Sequence, residues 1–223
     1  MDLIEQNNVK KVYDKIATHF DATRYSVWID VKSFLDKLPQ NSLILDAGCG
    51  NGKNMYRKDC LFIGGDFCET FAKITSNKGL ESLVFNTKKL PFKSNMFDHS
   101  ISIAVIHHIY EKHHRIKCIK ELVRVTKING LILISVWGNH GKYNHGNNYI
   151  RWQLQSKYDK SNKSNSNDKS NSNDKSNKTY QRFYYLYKEN ELLEDITDNL
   201  DNISIESYYS SFNNRFIILK KIK

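Results

Sequence analysis

The sequence predicts an open α/β sheet with helices on both faces. Short apolar runs alternate with amphipathic segments, a glycine cluster follows the first apolar run, and two further apolar runs close the chain. Sheets of this kind bind ligands at the carboxyl ends of their strands. We therefore expect the functional residues to lie directly after the strands.

Apolar residues spaced three or four positions apart predict the helices. Segments 7–18 and 26–37 each have one apolar stripe, and Pro39 ends the second. A longer amphipathic helix is predicted over 111–128, with Gly130 placed to end it, and a last helix over 187–200.

Short apolar runs predict seven strands, of which five alternate with helices and two close the chain. They cover residues 42–46, 60–66, 80–85, 97–106, 131–137, 203–209 and 214–222. The stretch 139–180 is predicted to be a long polar loop. Inside a single domain that spans 1–223, residues 157–179 are a low-complexity insertion that we expect to be disordered, because 159–178 contain only Asp, Lys, Ser and Asn.

Composition excludes several classes of protein. Mean hydropathy is −0.61, and no apolar run approaches the roughly 18 residues of a membrane span. The first residues lack the apolar segment of a signal peptide. The four cysteines form no CxxC pair, so we expect reduced thiols and no metal site. We expect a protein of the cytoplasm, with the nucleus as a second compartment, and no membrane association.

The positive charge is concentrated in one segment. The formal net charge is +10, and residues 111–158 alone contain nine basic and two acidic side chains. A localised basic patch is typical of proteins that bind a polyanion such as nucleic acid. A solvated lysine-rich helix face would give the same count, so charge alone leaves both interpretations open.

A glycine cluster and two later polar residues predict a nucleoside-type cofactor. The cluster follows the first strand and is expected to lead into a helix, and its glycines allow close approach of a ligand to the backbone. Asp66 comes fourteen residues after Gly52, at a strand end where a carboxylate can accept both ribose hydroxyls. This spacing favours S-adenosylmethionine over an NAD-binding half or a fold that no longer binds a cofactor. The cofactor residues are Asp46, Gly48, Gly50, Gly52, Asp66 and Asn86, with Asp46 near the amino acid part and Asn86 near the base.

Several motifs resemble the class I methyltransferases that modify the wobble uridine of tRNA. They are DAGCGNGK (46–53), GGDFC (64–68), LPF (90–92) and ISIAVIHHI (101–109). The segments VYDKIATHFDATRYSVW (12–28) and RFYYLYKENEL (182–192) resemble the opening and a later motif of the same family. The family is that of the tRNA carboxymethyluridine methyltransferases, and the resemblance spans nearly the whole chain apart from the polar insertion.

The resemblance implies a fold, a reaction and partners. The fold would be an open seven-stranded Rossmann-like class I methyltransferase sheet. The reaction would transfer a methyl group from S-adenosylmethionine to the carboxylate of 5-carboxymethyluridine in the tRNA anticodon stem-loop. A small zinc-binding activator subunit would be the protein partner, and Ala104 would join the cofactor-binding residues. Asn86 stands where the family usually has Asp, Cys68 where it has Ser, and Tyr185 where it has His.

A carboxylate acceptor determines which side chains to look for. Its pKa is roughly 4, so it is ionised at neutral pH and needs no general base. The expected catalytic residues are His107, Arg24 and His108, with His107 favoured over His108, because arginine can clamp an anion and the histidines follow the fourth strand. The alternatives are a salt bridge from Arg24 to Asp21 or Asp14, and a core histidine beside a helix-capping one.

Five residues are expected to face the RNA. Basic side chains contact phosphates without reading sequence, and an aromatic ring can stack on an unpaired base. The expected set is Arg24, Trp137, Lys142, Arg151 and Arg182, and a core position is the alternative for Trp137. A small-molecule carboxyl methyltransferase and a non-catalytic paralogue of the family remain the alternative functions.

Overall fold

The computed structural model describes residues 2–138, 141–154 and 178–223. Nine strands are present within these ranges: β1 (Leu43–Ala47), β2 (Leu61–Asp66), β3 (Ser82–Val84), β4 (His99–Ile103), β5 (Leu131–Trp137), β6 (Gly146–Gln153), β7 (Thr179–Leu186), β8 (Ile203–Ser211) and β9 (Asn214–Lys221). Seven of them form one sheet in the order β3-β2-β1-β4-β5-β9-β8, and β6 pairs with β7 in a separate two-stranded ribbon.

The seven-stranded sheet has the predicted topology. Strands β1 to β5 are parallel to one another, and β9 lies antiparallel between β5 and β8. The carboxyl ends of β1, β2 and β4 therefore meet at one edge, where the switch point of such a sheet places a ligand. The prediction of an open seven-stranded α/β sheet is confirmed.

Helices surround this sheet. They are α1 (Leu3–Glu5), which continues through a π-helical turn (Gln6–Lys10) into α2 (Lys11–Thr23), then α3 (Ile29–Leu35), α4 (Glu69–Ser76), α5 (Lys112–Val125) and α6 (Glu191–Thr197). A 3₁₀ turn at Ile106–His108 joins β4 to α5. Within the described ranges, no helix is long and apolar enough to cross a bilayer.

Alternate residues of the strands pack against opposite helical layers. In β1, Leu45 is buried with the apolar face of α5 and α6, whereas Ile44 is buried with Val31 and Leu35 of α3. Successive side chains of a strand point to opposite faces of a sheet. Both faces are therefore covered, as the alternating pattern of the sequence predicts. All four cysteines are buried and outside any disulfide.

Two predictions around the strand ends were wrong. No helix follows the glycine cluster, because Gly48, Gly50 and Gly52 have φ of 91°, 53° and 74° and the chain continues in turns. Strand β4 ends at Ile103 and not at 106, because Ala104 adopts a φ of 59°. Extended pairing cannot continue through left-handed backbone.

The predicted polar loop contains the β6–β7 ribbon. In β6 the side chains of Ile150 and Trp152 are buried, whereas Tyr149 and Arg151 are exposed, and this alternation is typical of a strand. Residues 157–177 of the predicted insertion lie outside the described residues, and its last residue, Thr179, begins β7. Helix α4 was not predicted.

Candidate active site

A cavity of about 270 Å³ opens at the carboxyl ends of the parallel strands. The turn after β1 and the ends of β2 and β4 form its floor. The N-terminal helix and the β6–β7 ribbon form the opposite wall, through Tyr13, Trp152, Arg182 and Tyr184. The cavity thus lies between the sheet edge and two elements that come from distant parts of the sequence.

Gly48 brings the backbone close to the end of β4. Its φ is 91°, and a Cβ atom there would lie 2.2 Å from Cγ2 of Val105. That distance is far inside van der Waals contact, so only glycine fits. Gly50 and Ala104 also line the cavity, and Ala104 is held in its left-handed conformation by two hydrogen bonds from its N–H to Ser135.

Asp66 and Asn86 lie at the cavity wall and are held by backbone contacts. The carboxylate of Asp66 accepts hydrogen bonds from the N–H groups of Gly50 at 3.0 Å and Cys68 at 2.8 Å. Burial raises the pKa of Asp66 to about 6. The Oδ1 atom of Asn86 accepts a hydrogen bond from the N–H of Lys88 at 2.9 Å. Both side chains are therefore fixed before any ligand binds.

Asp46 and Gly52 do not reach the cavity surface. Asp46 is fully buried. Burial raises its pKa to about 7, and a hydrogen bond with Asn54 and the charge of Lys53 oppose this shift. Gly52 packs instead against Thr75. Asp46 therefore lies behind the cavity wall and is not in direct contact with the cavity.

The Tyr13 hydroxyl is the centre of a hydrogen-bond network at the wall. It lies 2.9 Å from Nε2 of His108 and 3.2 Å from the hydroxyl of Tyr184, and it accepts from Arg182 at 3.3 Å. Nδ1 of His108 lies 2.7 Å from the Phe183 carbonyl oxygen, which can only accept. His108 therefore carries its proton on Nδ1, and Tyr13 donates to Nε2.

Burial lowers the pKa of His108 to about 3, and the positive charge of Arg182 acts in the same direction. His108 is consequently neutral at physiological pH. Its acceptor nitrogen is already occupied by Tyr13, so it orients the network and is not a general base in this state.

His107 has the opposite tautomer and a different place. It is fully buried, and its Nδ1 accepts a hydrogen bond from the backbone N–H of Trp137 at 2.9 Å. Its ring is stacked on Tyr184, with 5.0 Å between ring centroids. His107 thus ties the end of β4 to β5. The sequence-based preference for His107 as the group that contacts substrate stays a prediction.

The chain is similar to known methyltransferases in sequence. Residues 45–134 match the family described as a methyltransferase domain. A protein from Schizosaccharomyces pombe named tRNA (carboxymethyluridine(34)-5-O)-methyltransferase is 37% identical over 201 residues, which cover 85% of this chain and 86% of that protein. The chain belongs to the tRNA (carboxymethyluridine(34)-5-O)-methyltransferase family. The resemblance in the sequence motifs is thereby confirmed.

Other members of this family are longer. An Arabidopsis thaliana protein of the same name is 49% identical over 135 residues, or 60% of this chain. The chain matches 33% of that protein's length and 41% of a Xenopus tropicalis relative that is 31% identical. This chain thus spans well under half of these two relatives.

Solved structures agree with the fold. A S-adenosylmethionine-dependent methyltransferase from Methanosarcina mazei has a TM-score of 0.66 at 17% identity and covers 88% of this chain and 99% of its own. A methyltransferase in complex with the Haloferax volcanii Trm112 methyltransferase activator has a TM-score of 0.63 at 14% identity, covering 95% and 98%. The class I methyltransferase fold predicted from the sequence is confirmed.

The residues at the cavity fit S-adenosylmethionine, the methyl donor of this fold. An added Cβ at Gly50 would meet open space in the cavity, so the amino acid part of the cofactor would lie along this turn. Asp66 keeps unused lone pairs that would accept the ribose hydroxyls, since each carboxylate oxygen can accept twice. Asn86, at the cavity wall, would be a partner for the base. Asp46 is buried behind the wall and would supply negative charge when ionised, which suits a cationic ligand.

Arg24 lies at the mouth of the cavity. It is exposed, donates a hydrogen bond to the Thr23 carbonyl oxygen at 3.0 Å, and its guanidinium lies 5.1 Å from the ring centroid of Trp152. The alternative partners Asp21 and Asp14 form ion pairs with lysines instead. Arg24 is thus placed to meet a substrate at the entrance.

Trp137 is half-buried at the end of β5 and lines the cavity. Its ring is stacked on Tyr184 at 4.5 Å between centroids. The His107 ring lies 5.0 Å from Tyr184 and 5.7 Å from Trp137 between centroids, so these three aromatic groups pack against one another and form one wall.

The predicted basic patch divides into two parts. On the α5 side, Lys112, Arg124 and Lys127 form ion pairs with Asp195, Glu121 and Asp98 at 2.7 Å each. Lys142 and Arg151, close to or within the ribbon, are exposed. Lys117 and Lys120 of α5 are also exposed and form none of the ion pairs found among the described residues, so exposed positive charge lies on both the helix and the ribbon side. Lys157 lies outside the described residues.

Sequence reasoning missed several residues of the site. Tyr13 and Tyr184 are inside motifs that were noted for their resemblance, but their roles require the long-range contact between α2 and β7. Trp152 lies in the stretch that was predicted to be a loop. The alternation of apolar and polar residues over 149–152 was the signal that could have revealed its strand.

Proposed function

We propose that the protein transfers a methyl group from S-adenosylmethionine to the carboxylate of 5-carboxymethyluridine at position 34 of tRNA. The observation that carries this proposal is that the open turn at Gly50 and the carboxylate of Asp66 share one cavity with a buried guanidinium, that of Arg182. Family membership supplies the acceptor, because the relatives are named for it.

The chain's own residues bind and orient the reactants. S-adenosylmethionine, when bound, supplies an electrophilic methyl group. The acceptor carboxylate is already ionised, so the site needs alignment and exclusion of water more than proton transfer. Trp152 and the aromatic wall of Trp137, Tyr184 and His107 line the cavity, and their apolar rings would reduce the access of water to the reacting atoms. The hydrogen bonds of Tyr13 to the neutral His108 and to Tyr184 fix the position of this wall relative to the end of β4.

The ribbon and the loop before it are the proposed RNA surface. Arg151 and Lys142 are exposed beside the cavity, and Arg24 lies at its mouth. Cationic side chains on an anticodon loop would position the RNA through its phosphates. The unstacked wobble base can then enter the cavity at small cost, since a base in a loop loses little stacking.

A small zinc-binding activator subunit is the proposed protein partner. The edge strand β3 pairs only with β2 in the described sheet, and it exposes Leu83 and Val84, beside Leu61 at the start of β2. An exposed apolar edge strand is a surface on which a second chain can add a strand. The methyltransferase of similar fold in the Haloferax volcanii complex is bound to a methyltransferase activator, which supports a partner of this kind.

The partner surface can be tested by co-purification. Val84→Lys should abolish capture of the activator, because it places a charge in the new strand pair. Ile205→Lys is the matched control, since Ile205 lies on the opposite edge strand β8 and is also partly exposed. Equal capture by both variants would contradict the assignment of β3.

The reaction can be tested with labelled methyl donor. Transfer RNA that bears 5-carboxymethyluridine, incubated with the protein and the activator, should gain a base-labile label on uridine 34. Transfer RNA with unmodified uridine is the control and should gain none. Label without tRNA would favour a small-molecule carboxyl methyltransferase, and failure of the wild-type protein to bind the cofactor would favour a non-catalytic paralogue.

A further inference from the structure

Arg182 is a buried cation in the wall of the cavity. It lies in β7, with 6% of its surface exposed. Its guanidinium carbon is 4.5 Å from the ring centroid of Trp152 and 5.0 Å from that of Tyr184. Aromatic faces compensate part of the loss of hydration of a cation. They do not neutralise its charge.

No carboxylate neutralises Arg182 among the described residues. The ion pairs found there do not include it. Its Nη1 donates to the Tyr13 hydroxyl at 3.3 Å, and its Nε has no hydrogen-bond partner within the described ranges. Buried charges are normally paired, but Arg182, which lines the cavity, has no counter-charge among the described residues.

We propose that Arg182 binds the carboxylate of the acceptor and makes the site specific for the anion. This inference rests on the proposed function and assigns its specificity to one side chain. Arg182 lines the cavity and can form charge-assisted hydrogen bonds through the guanidinium hydrogens that the Tyr13 hydroxyl does not take. Arg24 at the mouth is exposed, so its charge is accessible to solvent and does not need a counter-charge from the substrate.

The same contact distinguishes substrate from product. Methyl transfer forms the O–CH₃ bond and breaks the S–CH₃ bond, whose electron pair stays on sulfur. The carboxylate becomes a neutral ester, and Arg182 loses its counter-charge. Arg182 therefore binds the product less tightly than the substrate, which favours release of the methylated RNA and discriminates against a neutral carbamoylmethyl group.

Equilibrium binding of synthetic anticodon stem-loops tests this directly. Three loops carry 5-carboxymethyluridine, its methyl ester or its carbamoylmethyl analogue at position 34. The full-length wild-type chain should prefer the carboxylate by about 10- to 100-fold, the range expected for a hydrogen bond to a charged group. Arg182→Met should bring that ratio close to one. Arg182→Lys, which keeps the charge but loses the planar fork, should give an intermediate ratio.

Two arginine variants are matched controls. Arg151 lies on the exposed face of the same ribbon, so Arg151→Met should weaken all three loops equally and preserve the ratio. Arg24→Met tests the competing anion clamp. A collapse of the ratio in Arg24→Met with the ratio preserved in Arg182→Met would overturn the proposal and assign the carboxylate to Arg24.

Folding and function are checked separately. The cofactor affinity and the midpoint of thermal unfolding of each variant show whether the cavity is intact. If Arg182→Met does not fold, Arg182→Lys is compared with the wild-type protein instead. Wild-type protein that esterifies tRNA while Arg182→Met and Arg182→Lys keep the full ratio refutes only the role of Arg182. Wild-type protein that neither prefers the carboxylate loop nor methylates it refutes the proposed function itself.

Discussion

The hydroxyl of Tyr13 in α2 donates a hydrogen bond to Nε2 of His108, 2.9 Å away at the end of β4. The two residues are 95 positions apart. This contact attaches the N-terminal helix to the sheet edge where the acceptor is expected. Because the Tyr13 proton is donated to His108, the Tyr13 oxygen is left to accept the hydrogen bond from Arg182.

Tyr13→Phe should slow methyl transfer by roughly tenfold and leave cofactor affinity nearly unchanged. It leaves the buried Nε2 of His108 without its donor, which costs about 1–3 kcal/mol. Single-turnover rates and calorimetric cofactor binding measure the two effects. Tyr25→Phe is the control for loss of a tyrosine hydroxyl, since Tyr25 is 76% exposed. Equal rates in both variants would contradict the role of the network.

The affinity for S-adenosylmethionine should rise with pH and level off above about 7. Burial raises the pKa of Asp46 to about 7 and that of Asp66 to about 6, so both are protonated at lower pH. A cationic ligand binds better to the ionised carboxylates and must displace their protons below these values. Calorimetry across this range measures the effect.

Asp46→Asn should shift the end of this rise from about pH 7 to about pH 6, where Asp66 alone titrates. S-adenosylhomocysteine, whose sulfur is neutral, is the ligand control and should depend less on pH. An unchanged pH profile in Asp46→Asn would show that Asp46 does not act on the cofactor.

Gly48→Ala should destabilise the protein more than Gly79→Ala. Both glycines have positive φ, 91° and 76°, but only Gly48 faces a close neighbour, with Val105 Cγ2 at 2.2 Å from an added Cβ. Left-handed backbone costs about 1–2 kcal/mol in either variant, and the clash adds about 1–3 kcal/mol. Urea unfolding measures the difference, and equal losses would exclude the clash.

The buried ion pair of Glu5 and Lys88 anchors the N-terminal helix. Their side chains are 8% and 10% exposed, and Glu5 also accepts from the Tyr110 N–H at 3.3 Å. Lys88→Met alone should cost about 3–5 kcal/mol of unfolding free energy, because it leaves a buried carboxylate unpaired. Adding Glu5→Gln should restore most of the loss.

A double-mutant cycle, with the free energy of unfolding measured in urea, distinguishes coupling between Glu5 and Lys88 from two independent losses of stability. The exposed pair of Lys32 and Asp36 on α3 is the control, and Lys32→Met should have a small effect. If the Glu5–Lys88 double variant were as unstable as the sum of its single variants, the pair would not be coupled.

Lys142→Ala and Arg151→Ala should each weaken tRNA binding and reduce the salt dependence of the binding constant. Each lost phosphate contact with a single-stranded loop lowers the slope of log affinity against log salt by about 0.7. Filter binding over a salt series measures the slope. Lys58→Ala is the control. Lys58 is exposed and lies just before β2, at the amino ends of the parallel strands, whereas the cavity opens at their carboxyl ends. Cofactor affinity should be unchanged in all three variants.

Local sequence pattern was enough to predict the sheet and to place Gly48 and Asp66 at the ends of the strands where the cavity opens. Apolar runs and glycines act locally, so β1, β2, β4 and the positions of Gly48 and Asp66 followed from pattern and spacing. The same pattern did not reveal the ribbon, because the alternation in β6 lies within a stretch dominated by polar residues. It also predicted a helix after the glycine cluster, where three left-handed glycines prevent one.

The acceptor half of the site depends on long-range packing. Tyr13, His108 and Arg182 come from α2, the end of β4 and β7, and they meet because the N-terminal helix and the ribbon pack over the sheet edge. The burial of Arg182 away from any carboxylate of the described residues is a property of three-dimensional packing, because the residues around it are far apart in the chain. No local pattern reports it, which is why Arg182 was expected on the RNA surface and was found in the wall of the cavity.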